Sequence, residues 1–413
     1  MHLLKGKASI ALLAATASIG IAACGSSSSS SSTTSSTSTS TASSASTSSA
    51  AAAPVISATG FTNNFTAMAA LKPLAAAGKG GIAAILPDTT SSTRYVEFDA
   101  PDLTKAMTMA GLPSSDITVQ NALGSDSTFL TDAESDVTKG ASVLLIDPED
   151  SGVGKRVEEY AKQHGVAVID YDRLTTGGPA DDYVSFNNVH VGQLIGQGFV
   201  SCVQAWHVSH PNVIVMRGDP TDNNALLFYQ GYDGVLKSYF SSGKYTQVAT
   251  PAGTWDPPTA LTEFEAAYTA HSNTNSAVIP NDENGAPIIT YLKSHGVKPD
   301  TFPTTGQDAT LTGLQNVLSG YQCGTVYKPI YLEAQAAVSL ALYLRAGKTA
   351  PASLLNGTVT DPINKASVPS VLEVPEWVTP TNMVDTIVKD NFVPTKQLCA
   401  GSYAADCKKY GIS

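Results

Sequence analysis

From Gly81 onward, short apolar runs alternate with stretches whose apolar residues recur every three or four positions. Gly81–Leu86 (GIAAIL), Ser142–Ile146 (SVLLI) and Val166–Tyr171 (VAVIDY) are nearly continuous apolar runs, the pattern of strands covered on both faces. Asn212–Met216, Ala277–Pro280 and Gly324–Tyr327 are shorter runs of the same kind. Between them the spacing predicts helices over Tyr95–Ala110, Gly154–His164, Val189–Trp206, Asn224–Phe240, Ala286–His295 and Tyr331–Arg345. Strand-helix alternation of this kind predicts parallel sheets wrapped by helices. The body is too long for one compact core, so two doubly wound lobes are expected.

The N-terminus follows different rules. Lys5 and Lys7 precede an apolar run from Ala8 to Ala23, too short to span a bilayer and typical of a secretory signal. It ends Ile21-Ala22-Ala23-Cys24-Gly25, which resembles a bacterial lipobox with isoleucine in place of leucine. The expectation is a signal peptide over 1–23, removed just before a lipidated Cys24. Residues 24–53 are almost entirely Ser, Thr and Ala, which cannot bury enough surface to offset chain entropy. This stretch reads as a flexible tether that holds the body at the membrane, on the extracytoplasmic side.

The formal charge is −11 and becomes two units more negative without Lys5 and Lys7. With no basic run in the body, nucleic acid is excluded as an expected partner. Besides Cys24 there are four cysteines, an even number that suits disulfides in an exported protein. Cys399 and Cys407 are close enough in the tail to pair, which leaves Cys202 with Cys323. The rival use of Cys202, with His207 and His210, as metal ligands matches no common zinc spacing. No metal and no cofactor are expected.

Candidate chemistry gathers at the expected strand ends: Asp88, Asp147, Asp172, Asp219, Asn281, Asp282 and Asp308. Open parallel sheets bind ligands beyond those ends. Asp and Asn there are also favoured helix N-caps, so the pattern alone supports a polar cleft only weakly. There is no G-x-S-x-G, H-E-x-x-H or G-x-x-x-x-G-K-[ST] motif, and Gly152-Val153-Gly154 lacks a third dinucleotide-binding glycine.

Six stretches in register carry a more specific signal: YDR at Tyr171–Arg173, SFNNVHVG at Ser185–Gly192, GDPTDNNA at Gly218–Ala225, PND at Pro280–Asp282, TTGQDA at Thr304–Ala309 and TVYKPI at Thr325–Ile330. Together they resemble the xylose-binding proteins of sugar ABC transporters, over roughly Gly81 to Asp390. The resemblance implies a type I periplasmic-binding-protein fold. Its lobes would span 79–185 with 331–365, and 186–330 with 366–413. The three crossings are expected near Tyr183–Phe186, Lys328–Ile330 and Ala366–Ser370.

Position by position, the resemblance assigns Arg94, Tyr95, Asp172, Arg173, Asp222, Asn224, Trp255, Asn281, Asp308 and Lys328 to a sugar pocket. Tyr95 stands where the family has tryptophan, and Arg217 where it has glycine. These residue types suit a monosaccharide in their own right. Carboxylates, amides and guanidinium forks pair with hydroxyls, and an aromatic ring covers apolar C–H faces. The implied protein is a monomeric receptor that hands a monosaccharide, D-xylose or a related aldose, to ABC permease subunits by hinge closure. A chemoreceptor or sensor kinase is the alternative partner, and a glycoside-processing enzyme with paired carboxylates the alternative class.

Overall fold

A computed structural model describes residues 54–412. The signal peptide, Cys24 and the tether lie outside the described residues. Among those described, no helix is long and apolar enough to cross a membrane.

The first half is built on β1 (Gly81–Leu86), β2 (Ile117–Asn121), β3 (Ala141–Ile146), β4 (Ala167–Tyr171) and β5 (Asp182–Phe186). The second holds β6 (Asn212–Val215), β7 (Thr246–Ala249), β8 (Ser276–Val278) and β9 (Thr325–Tyr327), and the chain ends with β10 (Gly357–Thr360), β11 (Ser367–Glu373) and β12 (Glu376–Val378). A seven-stranded sheet runs β10-β11-β5-β4-β3-β1-β2, parallel except for the β10–β11 pair. A second parallel sheet runs β7-β6-β8, and β9 pairs antiparallel with β12 beside it.

The apolar runs become central strands because both their faces are covered. Along β1, Ile82, Ala84 and Leu86 enter one core while Ala83 and Ile85 enter another. The helices α1 (Lys72–Ala77), α2 (Ala100–Met109), α3 (Asp126–Thr138) and α4 (Ser151–Gln163) belong to this half, with α2 on one face and α3 and α4 on the other. Along the second sheet, Val213 and Val215 face α5 (Asn188–Ala205) and α6 (Asn223–Ser241). Ile214 and Met216 face α7 (Pro257–Ala270) and α8 (Asp282–Ser294). The short α9 (Leu311–Leu318) packs with the α5–α6 side. The long α10 (Ile330–Arg345) returns to the first sheet and is buried nearly all round, as its alanine- and leucine-rich sequence demands.

In both sheets the chain steps outward in opposite directions from its first strand, between β1 and β3 and between β6 and β8. Those are the switch points at which loops beyond the strand ends diverge and leave a crevice. Both point toward the site described below.

The chain passes between halves after Phe186 and around Lys328–Pro329. The third crossing differs. Residues 366–373 were expected in the second lobe, but β11 pairs in parallel with β5, with Ser370 opposite Tyr183 and Glu373 opposite Phe186. The crossing therefore falls between Glu373 and Glu376. The segment from Pro54, outside the family resemblance, packs Ile56, Phe61, Phe65, Met68 and Leu71 onto the first core.

The tail ends in α11 (Thr395–Leu398) and α12 (Ala404–Lys409). Leu398, Cys407 and Ile412 pack it on the second core, and the Cys399–Cys407 disulfide closes it on itself. Cys202 and Cys323 form the other disulfide, joining α5 to the loop before β9 across 121 residues of sequence. Its sulfur thus committed, Cys202 has none to offer a metal.

By loop-closure entropy, the 121-residue disulfide should contribute about 5 kcal/mol and the 8-residue one about 2.5 kcal/mol. Chemical denaturation of C202S/C323S and C399S/C407S double variants should show the larger loss in the first.

Candidate functional site

All ten residues singled out by the resemblance line one cavity between the two halves, joined there by Ser91, Ser92, Phe228 and Gln307. The space among these side chains, its opening to solvent included, is about 290 Å³.

The floor is a buried charge cluster. A π-type turn at Tyr95–Asp99 opens α2 and sets Arg94, Tyr95 and Asp99 side by side. Arg94 is only 1% exposed. It grips Asp99 through Nε (2.8 Å) and Nη2 (2.7 Å), Asp172 through Nη1 (2.9 Å) and Glu333 of α10 through Nη2 (2.7 Å). Burial pushes the Glu333 carboxyl well above its usual range, and Arg94 only partly opposes it. Burial would also raise Asp172, but Arg94, Lys328 and Arg173 outweigh it and hold that carboxyl below its ordinary value.

Asp172 sits at the end of β4 with φ of 60°. Asp tolerates this left-handed conformation better than most residues. The turn is over-determined by hydrogen bonds: the carbonyl of Asp172 accepts from Ser185 Oγ (2.6 Å), Asn224 Nδ2 (2.9 Å) and Tyr183 OH (3.2 Å). The Tyr95 hydroxyl donates to Asp172 Oδ2 (3.2 Å) and accepts from Arg173 Nη2 (2.9 Å). An indole N–H donates only, so tyrosine at this position adds a bridge that tryptophan would lack.

Arg173 lies with Nε 3.5 Å from Asp147 and 3.8 Å from Asp222 of the opposite half. Asp222 caps α6, accepting from Asn224 N–H, and its Oδ2 accepts from Trp255 Nε1 (2.9 Å). Burial raises its pKa; Arg173 and these donors pull the other way. Trp255 also meets Phe228 edge-on at 6.4 Å. A Cβ at Gly218 would come within 2.2 Å of the Trp255 ring, so glycine is required there for the indole to seat. Arg217, the departure from the family pattern, does not line the cavity; its guanidinium stacks on Tyr229 at 4.3 Å.

On the far wall, Asn281 caps α8 and donates from Nδ2 to the Ser91 carbonyl (2.8 Å). Asp308, with φ of 89°, accepts from Ser92 Oγ (2.9 Å) and forms an ion pair with Lys328 at 2.9 Å. The Thr93 amide donates to Glu283 at 2.8 Å. The loop after β1 is thus tied to the second half by three hydrogen bonds across the crevice.

Of the other strand-end acids, Asp88 folds its own loop by accepting from the Thr90 and Ser91 amides, at 2.6 Å each. Asp219 closes a turn on Thr221, and Asp282 is buried behind the cavity against Gln322, Thr310 and Thr325. The missed lining residues, Ser91, Ser92, Phe228 and Gln307, carried no strand-end signal. Gln307 was in view only as part of the TTGQDA stretch.

The lining charges balance: Arg94, Arg173 and Lys328 against Asp172, Asp222 and Asp308, each already paired within the protein. A charged ligand would upset this balance in a low-dielectric space. Such a cavity favours a neutral, hydrogen-bonding ligand.

Comparison with known proteins decides the family. The periplasmic binding protein domain matches residues 82–349. The chain belongs to that family. A D-xylose-binding periplasmic protein of Escherichia coli (strain K12) is 36% identical over 283 residues, 68% of this chain and 82% of that one. The multiple sugar-binding periplasmic receptor ChvE of Rhizobium radiobacter is 31% identical over 345 residues, 79% and 94% of the two chains. Among solved structures, an ABC transporter solute binding protein from Clostridium phytofermentans with bound β-D-glucose is 25% identical. It matches with a TM-score of 0.68, over 77% of this chain and 99% of that one. The architecture is the type I periplasmic-binding-protein fold, and this periplasmic binding protein is a binder rather than an enzyme.

Burial lifts several carboxyls outside the cavity lining, Asp170 and Asp282 among them, to about 7. Both therefore keep a proton when folded that they lose when unfolded, between the ordinary value of 3.8 and about 7. Stability falls as pH rises through that window. The ligand-free binding protein should melt at a higher temperature at pH 5 than at pH 8, which calorimetry in matched salt would check.

Proposed function

We propose that this binding protein captures a monosaccharide, D-xylose or a related aldose, between its lobes and delivers it to the permease of an ABC importer. The observation that carries this reading is the cavity itself. It is small, electrically balanced, rich in carboxylate and guanidinium groups held in fixed directions, and walled on one side by Trp255. Vicinal hydroxyls each donate and accept, so they suit such fixed groups, and the indole suits the apolar face of a pyranose. The ten residues assigned by resemblance are the proposed binding set. The names of the relatives, D-xylose-binding and multiple sugar-binding, support the same ligand class.

The hydrogen bonds from the β1 loop to Asn281, Glu283 and Asp308 support closure of the crevice as the signal. A sugar that binds the closed arrangement more tightly shifts the population toward it, and a permease can read that shape. The receptor acts as a monomer held to the outer face of the membrane by lipid on Cys24.

Titration calorimetry of the body cloned from Ala53 against pentoses and hexoses tests the ligand. One-to-one binding of an aldose is expected; absence of binding to every sugar would sink the proposal. Asp172→Ala should weaken that binding by about 10- to 100-fold, the loss of a charged hydrogen-bonding group. The fold should survive it, because Arg94 keeps Asp99 and Glu333.

The anchor has its own test. Full-length protein expressed in a bacterial host should fractionate with membranes, and Cys24→Ala should move it to the soluble fraction. Equal partitioning of the two would remove the lipid from the proposal.

A further inference from the structure

Most polar groups on the cavity wall already have partners inside the protein. Asn224 uses Nδ2 on the Asp172 carbonyl, and its Oδ1 accepts from Asn188 Nδ2 at 2.8 Å. Asn281 uses Oδ1 on the Asn284 amide and Nδ2 on the Ser91 carbonyl. The charged residues pair with one another. Gln307 is different. It lines the cavity, is 3% exposed, and its Oε1 has no hydrogen-bond partner among the described residues.

The backbone explains why the side chain is held there. Gln307 forms a parallel bridge with Val326 of β9, and its carbonyl accepts from the Asp282 amide at 3.0 Å. Asp308 and Ala309 follow with φ of 89° and 52°, turning the chain sharply after it. The main chain of Gln307 is therefore pinned on the sheet while its amide stays uncommitted. Leaving a buried amide oxygen unpaired costs free energy that folding alone does not recover. An apolar residue of the same length would be the cheaper occupant for stability.

We infer that Gln307 is a specificity-determining contact of the ligand: its Oε1 accepts from one ligand hydroxyl, and its Nε2 can donate to a neighbouring one. This inference rests on the sugar reading above. A carboxamide orients one acceptor and one donor side by side, so it selects for a hydroxyl at one ring position and configuration.

The test uses the near-isosteric Gln307→Met, with binding measured against the best aldose and its monodeoxy analogues. Wild type should lose affinity when one particular hydroxyl is removed. Q307M should bind the parent sugar about 10- to 100-fold more weakly, the effect of losing a buried polar partner. It should bind that one deoxy analogue as wild type does, because the two deletions remove the same interaction. Thermal melts separate this from a structural role: ligand-free Q307M should melt no lower than wild type, while its sugar-induced shift shrinks. A Q307M that binds every sugar as wild type does, or that melts lower when ligand-free and loses all sugars equally, overturns the inference while the sugar reading stands. A wild type that binds no sugar overturns both.

Discussion

The site depends on keeping the Arg94 guanidinium buried and charged. A cation out of water is tolerable only when its donors meet acceptors placed in its plane, with anions among them. Here Asp99 comes from the turn that opens α2, Asp172 from the end of β4 and Glu333 from the first turn of α10. Three elements distant in sequence are thereby held at one point. Glu333 is the single acidic residue of that buried helix. Its carboxyl, pushed up by burial, takes its hydrogen bond from Arg94.

From that cluster the geometry spreads outward. Asp172 is held in an uncommon backbone conformation, and its carbonyl collects three donors, one of them from α6 across the crevice. Asn188 donates to Tyr183, Ser185 and Asn224, completing a network that spans the first crossing between halves. The peptide carrying the proposed sugar-binding carboxylate is thus also part of the joint between the lobes. Such coupling is what a receptor that signals by closure needs, since occupancy and hinge geometry then bias the same element.

Charge balance governs the rest of the cavity. Each lining cation is paired with a lining or backing carboxyl, so the wall presents oriented hydrogen-bonding groups rather than free cations. Asp222 and Asn281 also show that capping and cavity lining need not be rivals. Asp222 and Asn281 cap helices and face the cavity together, because both tasks arise where a strand hands over to a helix.

Much of this was legible along the chain. The continuous apolar runs marked β1, β3, β4 and β6, because strands covered on both faces leave no polar positions. The strand β2 escaped notice because it is an edge strand, half-buried throughout, with the mixed sequence ITVQN. The acids at strand ends were visible, and the order of six short stretches carried the cavity residues by resemblance. What sequence could not supply was pairing at a distance. Nothing near Arg94 announces Glu333, and nothing in TTGQDA distinguishes an open amide from a spent one. The third crossing moved because β11 takes its place through a parallel partner, β5, nearly two hundred residues earlier in the chain. Local pattern determined the elements and the chemistry at their ends, since periodicity and capping are properties of neighbours. Only the tertiary structure decided which charges meet, which amides remain free and where the chain crosses, since those depend on contacts that sequence separation hides.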